Sequence, residues 1–130
     1  MLIVRNRFRV LVLMAAVALI ASGAFVRAFP PVQTKTVRVK NDTADANIRV
    51  RCIGYGSEVA FTTDVTKGQF KDESGILIGS RGVVVYNSEN QKILVTKGIE
   101  LYADEFVAQM VVAGNANSGY TVAMSSLPNN

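Results

Sequence analysis

Residues 48–52 read IRVRC and residues 36–40 read TVRVK, so two short stretches alternate cations with apolar residues. Successive side chains of an extended strand point to opposite faces. Ile48, Val50 and Cys52 therefore share one face of a strand, and the arginines between them share the other. In the second stretch, Val37 and Val39 share one face of a strand, and the cations next to them share the other. The four cations that this pattern aligns are Arg38, Lys40, Arg49 and Arg51.

If these two strands pair with each other, one face of a sheet is apolar and the other carries all four cations. Like charges on directly opposite residues cost about 0.2 to 1 kcal/mol, which solvation tolerates and a bridging anion relieves. Two interpretations stay open: a solvated outer face, or a contact patch for an acidic protein, an anionic glycan or an anionic lipid surface. Nucleic acid is not expected, because no aromatic residues alternate with the cations to stack on bases.

The chain after residue 28 has the pattern of a single β-rich domain, residues 29–130. Clusters of β-branched and aromatic residues recur about every ten residues, and segments rich in Gly, Asn, Asp and Ser separate them. We predict a mainly β fold, a small antiparallel β-sandwich or barrel of about seven or eight short strands. The predicted strands are 35–40, 47–53, 58–63, 76–79, 82–86, 92–96, 99–103 and 118–124.

Residues 104–113, DEFVAQMVVA, fit two structures. Phe106 and Met110 lie at helical spacing, Asp104 could cap a helix, and Gly114 could end it. As a strand, the same segment places Phe106 and Met110 on one face, and its Val-Val run favours this choice. We therefore expect a strand, with one short helix as the alternative.

The first 28 residues have the pattern of a signal sequence. Three arginines within residues 5–9 precede an uncharged apolar stretch over residues 10–26, and small residues allow cleavage after Ala24 or Ala28. Cleavage predicts a secreted or periplasmic protein. The apolar stretch also reaches the lower limit of about 17 residues for a membrane-spanning helix. An uncleaved signal anchor is therefore the alternative, and the membrane is a partner only in that case.

Charge and cysteine content constrain the domain further. Of the 14 Lys and Arg residues, four lie in the predicted signal sequence, so the remaining ten balance the 10 Asp and Glu residues. The lone Cys52 has no partner for an internal disulfide, so stability depends on packing. Cys52 falls on the apolar face with Ile48 and Val50, and we expect a buried, unreactive thiol.

The sequence offers no recognisable catalytic or metal centre. It contains no histidine, which removes histidine-dependent triads and the commonest zinc sites. The adjacent carboxylates at Asp72 and Glu73, and at Asp104 and Glu105, point to opposite faces of a strand, and we expect exposed turn charges. No spaced Asp/Asn/Gly loop of a calcium site surrounds Asp64. We therefore expect no enzyme activity, no cofactor and no metal.

Two short motifs complete the pattern. The segment IGSRGVVV, with Gly79 and Gly82, resembles the nucleic-acid-clamping GxxG loop of KH domains, and ENQKILVTK downstream lies where that family has a strand. That loop leads into a helix in KH domains, whereas VVVYN is strongly β-prone, so we predict a tight glycine turn between two strands. Asn41 begins NDT, an N-glycosylation acceptor pattern, in a predicted loop.

These observations predict an exported β domain that is a non-enzymatic binding or surface-interaction module. The alternative is a structural or envelope-assembly subunit that associates through an exposed edge strand.

Overall fold

A computed structural model describes residues 33–128, which form eight β-strands and one short 3-10 helix at Tyr55–Ser57. The predicted mainly β fold with eight strands is confirmed, and the described residues contain no α-helix. The predicted signal sequence, residues 1–28, lies outside the described residues. The strands are β1 (Thr34–Thr43), β2 (Asn47–Ile53), β3 (Val59–Thr66), β4 (Phe70–Leu77), β5 (Gly79–Asn87), β6 (Ile93–Leu101), β7 (Val107–Asn115) and β8 (Gly119–Leu127).

The strands form two four-stranded sheets. Sheet I has the order β4-β1-β7-β8, and sheet II has the order β3-β2-β5-β6. All neighbouring strands are antiparallel except β1 and β7, which run parallel from Val37 opposite Ala108 to Thr43 opposite Gly114. Strands β4, β8, β3 and β6 are therefore the edge strands.

The alternation of apolar and polar residues decides which face of each sheet is buried. On β1 and β2 the apolar residues of the alternating stretches are fully buried, and the cations between them are not. We call the buried side of each sheet its inner face and the other side its outer face. Both sheets contribute to one hydrophobic core: Val37, Val39, Ile76, Ala108, Met110, Val112 and Val122 from sheet I, and Ile48, Val50, Cys52, Phe61, Val65, Val83, Val85, Ile99 and Leu101 from sheet II.

The connections are of two kinds. Hairpins join β2 to β3, β5 to β6 and β7 to β8 within a sheet. The other four connections cross between the sheets: Ala44–Ala46 after β1, Lys67–Gln69 after β3, Ile78 after β4, and Tyr102–Phe106 after β6. The two alternating stretches, β1 and β2, thus lie in different sheets although three residues separate them.

Several predicted boundaries were wrong. Residues 107–115 form strand β7, as expected, and no helix covers residues 104–113. The predicted strands 92–96 and 99–103 are one strand, β6, which runs through Gly98. Most of β4 was missed, because its sequence FKDESGIL carries the charges of an exposed edge strand rather than an apolar run.

Candidate functional site

The structure separates the four cations that the sequence aligned. Strands β1 and β2 do not pair: Arg38 and Lys40 lie on the outer face of sheet I, whereas Arg49 and Arg51 lie on the outer face of sheet II. Because the core lies between the sheets, these outer faces point in opposite directions. The expectation of one four-cation face was therefore wrong, since alternation sets the face of a strand but not its partner. Contact of these residues with an anion stays a prediction.

Two of the four arginine and lysine side chains are held by a carboxylate on the next strand. The Arg38 guanidinium donates to both oxygens of Asp72, at 2.8 and 3.0 Å, and Arg49 donates in the same way to Asp64, at 2.8 and 3.1 Å. In each pair the two residues are direct register partners. These bonds lower the pKa of the Asp64 and Asp72 carboxyl groups. Such bidentate pairs neutralise both arginines locally.

The remaining two cations differ from each other. Lys40 lies 3.8 Å from the carboxylate of Asp42 on its own strand. Arg51 is exposed, and no carboxylate among residues 33–128 lies within ion-pair distance of it. Its register partners are Thr62 on β3 and Val84 on β5, neither of which is charged. Arg51 is therefore the cation of the original four that is most available to an external anion.

A shallow open groove lies on the outer face of sheet II, and one of its lining residues, Val84, is the register partner of Arg51. Its floor is formed where Gly82 on β5 is the direct partner of Gly98 on β6 and of Ile53 on β2. Two adjacent glycines remove the side chains that would otherwise cover the backbone. The groove has a volume of about 490 Å³, and its lining residues are Ile53, Gly54, Gly82, Val83, Val84, Thr96, Lys97 and Gly98.

The sequence analysis did not identify this groove. Gly82 was assigned to a turn and Gly98 to a break between two strands. The signal that could have found it is a pair of glycines within β-prone runs, in GVVVYN and VTKGIE, which flank one hairpin. Glycine inside a strand often marks a close approach of ligand or backbone.

The GxxG segment has a structural role in the crossing between sheets. Strand β5 begins at Gly79, whose φ is +122°, directly after the crossing residue Ile78. The Arg81 guanidinium donates to the carbonyl oxygens of Ser80, Leu77 and Ile78, at 2.7, 2.8 and 3.2 Å. The predicted glycine turn at residues 79–82 was wrong, because these residues form the start of a strand. A strand here also departs from the loop-to-helix geometry that the KH resemblance implied.

Cys52 and Asn41 are both fully buried. Cys52 lies on the inner face, as predicted, and burial raises the pKa of its thiol. Asn41 lies within β1 rather than in a loop, and its amide nitrogen donates to the carbonyl oxygens of Val65 at 2.9 Å and Asp45 at 3.3 Å. A glycan on that nitrogen is incompatible with this environment.

Of the carboxylates expected to be exposed turn charges, Asp72, Asp104 and Glu105 are exposed, and two of these three are engaged by cations. Asp72 lies on strand β4 and pairs with Arg38 as described. Asp104 accepts from the ammonium group of Lys35 at 2.7 Å, and this ammonium also donates to the Tyr102 carbonyl oxygen at 2.9 Å. The hydrogen bond lowers the pKa of Asp104. The Lys35 side chain is only 5% exposed, so the pair fixes the loop between β6 and β7 against β1.

A polar cluster that the sequence did not indicate ties three chain segments together at Asp45. Its carboxylate accepts from the Tyr120 hydroxyl at 2.6 Å and from the Asn87 amide at 2.7 Å. The bond to Asp45 raises the pKa of Tyr120. Asp45 lies in the β1–β2 crossing, Asn87 is the last residue of β5, and Tyr120 is the second residue of β8, so the cluster joins the two sheets at one end. Its groups satisfy one another, which is typical of a structural network.

Neither similarity to known proteins nor a metal-binding cluster indicates the function of the part of the chain that the structure describes. No protein-family model matches the chain, and no curated protein matches it. Within residues 33–128, no three Cys, His, Asp or Glu side chains are grouped in a way that could hold a metal ion. No helix in the same part of the chain has the length and hydropathy of a membrane span. Within residues 33–128, the outer face of sheet II combines an open groove with Arg51, an exposed arginine that has no carboxylate partner in this part of the chain.

Proposed function

We propose that the two sheets form a β-sandwich that acts as an exported, non-enzymatic binding module, and that its ligand is an anionic glycan bound on the outer face of sheet II. The shared core and the separate hydrogen-bond ladders of the two sheets support the sandwich. The signal-sequence pattern supports export. One observation carries the binding proposal: exposed Arg51, without a carboxylate partner among residues 33–128, lies beside the groove floored by Gly82 and Gly98.

The shape of the groove favours a chain-like ligand. Its volume of about 490 Å³ is that of a small-ligand site, but it is open and shallow, so a bound polymer can extend beyond it. Val84 and Thr96, next to Arg51 in register, offer an apolar contact and a hydroxyl group. Tyr86, the register partner of Arg49, lies on the same face of β5 outside the groove, where its ring can stack on a sugar of a longer ligand.

The charge of this face argues against two other ligands. Among residues 33–128 on this face, Arg49 is engaged by Asp64 and Arg51 has no carboxylate partner, and the exposed Glu100, which accepts from Ser80, adds a negative charge. Attachment to an anionic lipid surface depends on several free cations. An acidic protein would be expected to cover a flatter and larger surface than this groove.

The proposal includes no catalytic step. The chain has no histidine, and Asp64, Asp72 and Asp104 are each hydrogen-bonded to a cation. These carboxylates lie on different strands and loops and do not converge on the groove.

Binding of polygalacturonate by the full chain, measured by calorimetry against its neutral methyl ester, tests the proposal. We expect binding to the acid form only, and a loss of affinity as salt is raised, because exposed charges are screened over about 8 Å at physiological ionic strength. Arg51→Gln should weaken binding about tenfold, the expected cost of losing one charge-assisted hydrogen bond. Arg38→Gln is the matched control on the opposite face and should bind like the parent.

Filling the groove provides a second test. A Cβ added at Gly98 would meet nothing within 4 Å, and the residue does not need a positive φ. Gly98→Val should therefore fold normally and block binding. If Arg51→Gln and Gly98→Val both bind the acid polymer as the parent does, the proposed site is wrong. Equal binding of the neutral ester would show that charge does not select the ligand.

The export part of the proposal is tested by the mass of the protein from its native host. We expect a chain that begins at Phe25 or Phe29. Recovery of only the full-length chain, in a washed membrane fraction, would show instead that residues 10–26 are a retained anchor.

The uncharged edge strand β8 supports the alternative function, a structural or envelope-assembly subunit that associates through an edge. Growth into assemblies larger than a dimer separates the two functions, because a binding module does not require open-ended assembly, whereas a structural subunit does.

A further inference from the structure

The four edge strands of the described sheets differ in how they are protected against pairing with other strands. Exposed edges are commonly blocked by charges, prolines or bulges. On β4, residues 71–73 are all charged and the register with β1 is irregular. Strands β3 and β6 carry Asp64, and Lys97 and Glu100, respectively.

Strand β8 has none of these features. It contains no charged residue and no proline, and its register with β7 continues over nine residue pairs without a shift. The whole segment from residue 106 to residue 130 is uncharged. Among the described edges, β8 is therefore the one that presents a regular, uncharged ladder.

The hydrogen bonds identify which backbone groups of β8 point away from β7. Gly114 is the register partner of Tyr120, but its carbonyl accepts from the Ala44 amide, on the β1 side. The Gly114–Tyr120 pair is therefore not hydrogen-bonded. Because hydrogen-bonded and non-hydrogen-bonded pairs alternate along an antiparallel ladder, the pairs that contain Val122, Met124 and Ser126 are not hydrogen-bonded either. The residues of β8 whose amide and carbonyl groups point outward are Tyr120, Val122, Met124 and Ser126.

One of these outward groups is occupied by a lysine from the other sheet. The Lys97 ammonium on β6 donates to the Val122 carbonyl oxygen at 2.7 Å. This bond independently supports the outward direction of the Val122 backbone. No other side-chain hydrogen bond from residues 33–128 reaches the outward backbone groups of the four residues.

We propose that β8 is a self-association surface: two copies of this chain pair their β8 strands antiparallel about a two-fold axis at Ala123, joining sheet I of each copy into one eight-stranded sheet. This proposal does not depend on the Arg51 groove. The axis position follows from pairing all four outward residues, since only a centre at residue 123 places Tyr120 opposite Ser126 and Val122 opposite Met124 of the partner copy.

The side chains along this axis favour pairing with an identical strand. Thr121, Ala123 and Ser125 lie on the outer face and are exposed. About the proposed axis, Ala123 meets its own copy and Thr121 meets Ser125, so small uncharged groups face each other and no like charges come together. A two-fold interface requires such self-complementarity.

Disulfide trapping tests the register. A central pair that is not hydrogen-bonded has a Cα separation of about 4.5 Å, which a disulfide spans. In the full chain, Ala123→Cys should form a covalent dimer under mild oxidation. Thr121→Cys is the matched control at an equally exposed site. It should not form a covalent dimer, because the proposed register places residue 121 opposite residue 125 of the other copy, four positions away from residue 121 of that copy. A mixture of Thr121→Cys and Ser125→Cys chains should form the mixed dimer. The parent, with buried Cys52, should stay uncross-linked.

Sedimentation of the full chain from about 10 μM to about 1 mM, a range that spans weak affinities, tests the association without any cysteine. We expect a monomer–dimer equilibrium. Lys97→Met removes the competing donor on Val122 and should tighten the dimer about three- to tenfold, whereas Lys92→Met, which removes one exposed charge from the β5–β6 hairpin, should not.

A constant monomer mass at all concentrations would overturn the proposal, as would equal cross-linking of the Ala123→Cys and Thr121→Cys chains. Slow hydrogen exchange of the outward β8 amides in a monomer would also overturn it, because another segment of the same chain would then occupy the edge.

Discussion

Replacing Asn41 with alanine should strongly destabilise the domain, because its buried side chain holds several polar groups of neighbouring segments. Asn41 is fully buried in β1, where its amide nitrogen donates to the Val65 carbonyl oxygen at 2.9 Å. Its side-chain oxygen accepts from the Thr43 amide at 2.9 Å and from the Thr43 hydroxyl at 2.6 Å. The side chain therefore links β1 to β3 and holds the start of the crossing to β2.

The size of the effect follows from the groups that alanine leaves unpaired. The Val65 carbonyl and the Thr43 amide both lose their side-chain partner in a buried site, at about 1 to 3 kcal/mol each. We expect Asn41→Ala to lower the free energy of unfolding by about 2 to 5 kcal/mol, a large share of the about 5 to 15 kcal/mol typical of a domain. With a urea dependence of about 1 to 2 kcal/mol/M, the midpoint should fall by roughly 2 M.

Urea unfolding followed by circular dichroism measures this change. Asn117→Ala is the matched control, because it makes the same replacement in the exposed β7–β8 turn, and its midpoint should equal that of the parent. Thr43→Val tests the network directly: combined with Asn41→Ala, it should cost less than the sum of the single changes. A decrease below about 1 kcal/mol for Asn41→Ala would refute the reasoning, since it would mean that water or relaxation satisfies the freed groups.

Three further predictions use other features of the fold. Thiol labelling of Cys52 should be much slower in the native protein than in the unfolded chain, because burial raises the pKa of the thiol and blocks access of the reagent to it. Rapid labelling of the native protein would place Cys52 at the surface. Gly114→Ala should lower the free energy of unfolding by about 2 kcal/mol or more, because the φ of Gly114 is +113° and a Cβ there would overlap the Gly119 carbonyl. Gly98→Ala, where a Cβ meets nothing within 4 Å, should leave the free energy of unfolding unchanged. Equal urea midpoints of the two variants would contradict this prediction. Because Arg hydrogen bonds depress the pKa of Asp64 and Asp72, their stabilisation is present above the unfolded-state pKa of about 3.9 and is lost as pH falls through the folded values. Asparagine at both positions should therefore reduce the loss of stability between about pH 5 and pH 2, and an unchanged acid profile would rule out a contribution from these pairs.

The sequence predicted the inner face of the central strands correctly because alternation has a physical cause. In IRVRC each buried residue is apolar and each exposed residue is charged, so a shift of one position would bury the arginines. The strand type of residues 107–115 was also predicted, from the β-branched run.

The strand partners could not be predicted in the same way. The three-residue link between β1 and β2 fits either a hairpin within one sheet or a crossing between two, and nothing local distinguishes them. The true partners of β1 are β4 and β7. The assumed pairing put four cations on one face, and the error in their arrangement follows from that assumption alone. The carboxylates that engage Arg38 and Arg49 lie on strands whose register the sequence did not reveal.

The parallel pairing of β1 with β7 determines when the fold can be completed. Strand β1, the first strand of the described residues, acquires its second neighbour only after residues 107–115 are available, more than 60 positions later in the chain. Until then, β1 has one open edge. Because closing such long-range contacts is slow, a chain that crosses a membrane N-terminus first would reach its native state only after nearly all of it has emerged. During that interval the uncovered valines of β1 would be exposed to other emerging chains, so a holding chaperone would be expected to act before folding rather than after it.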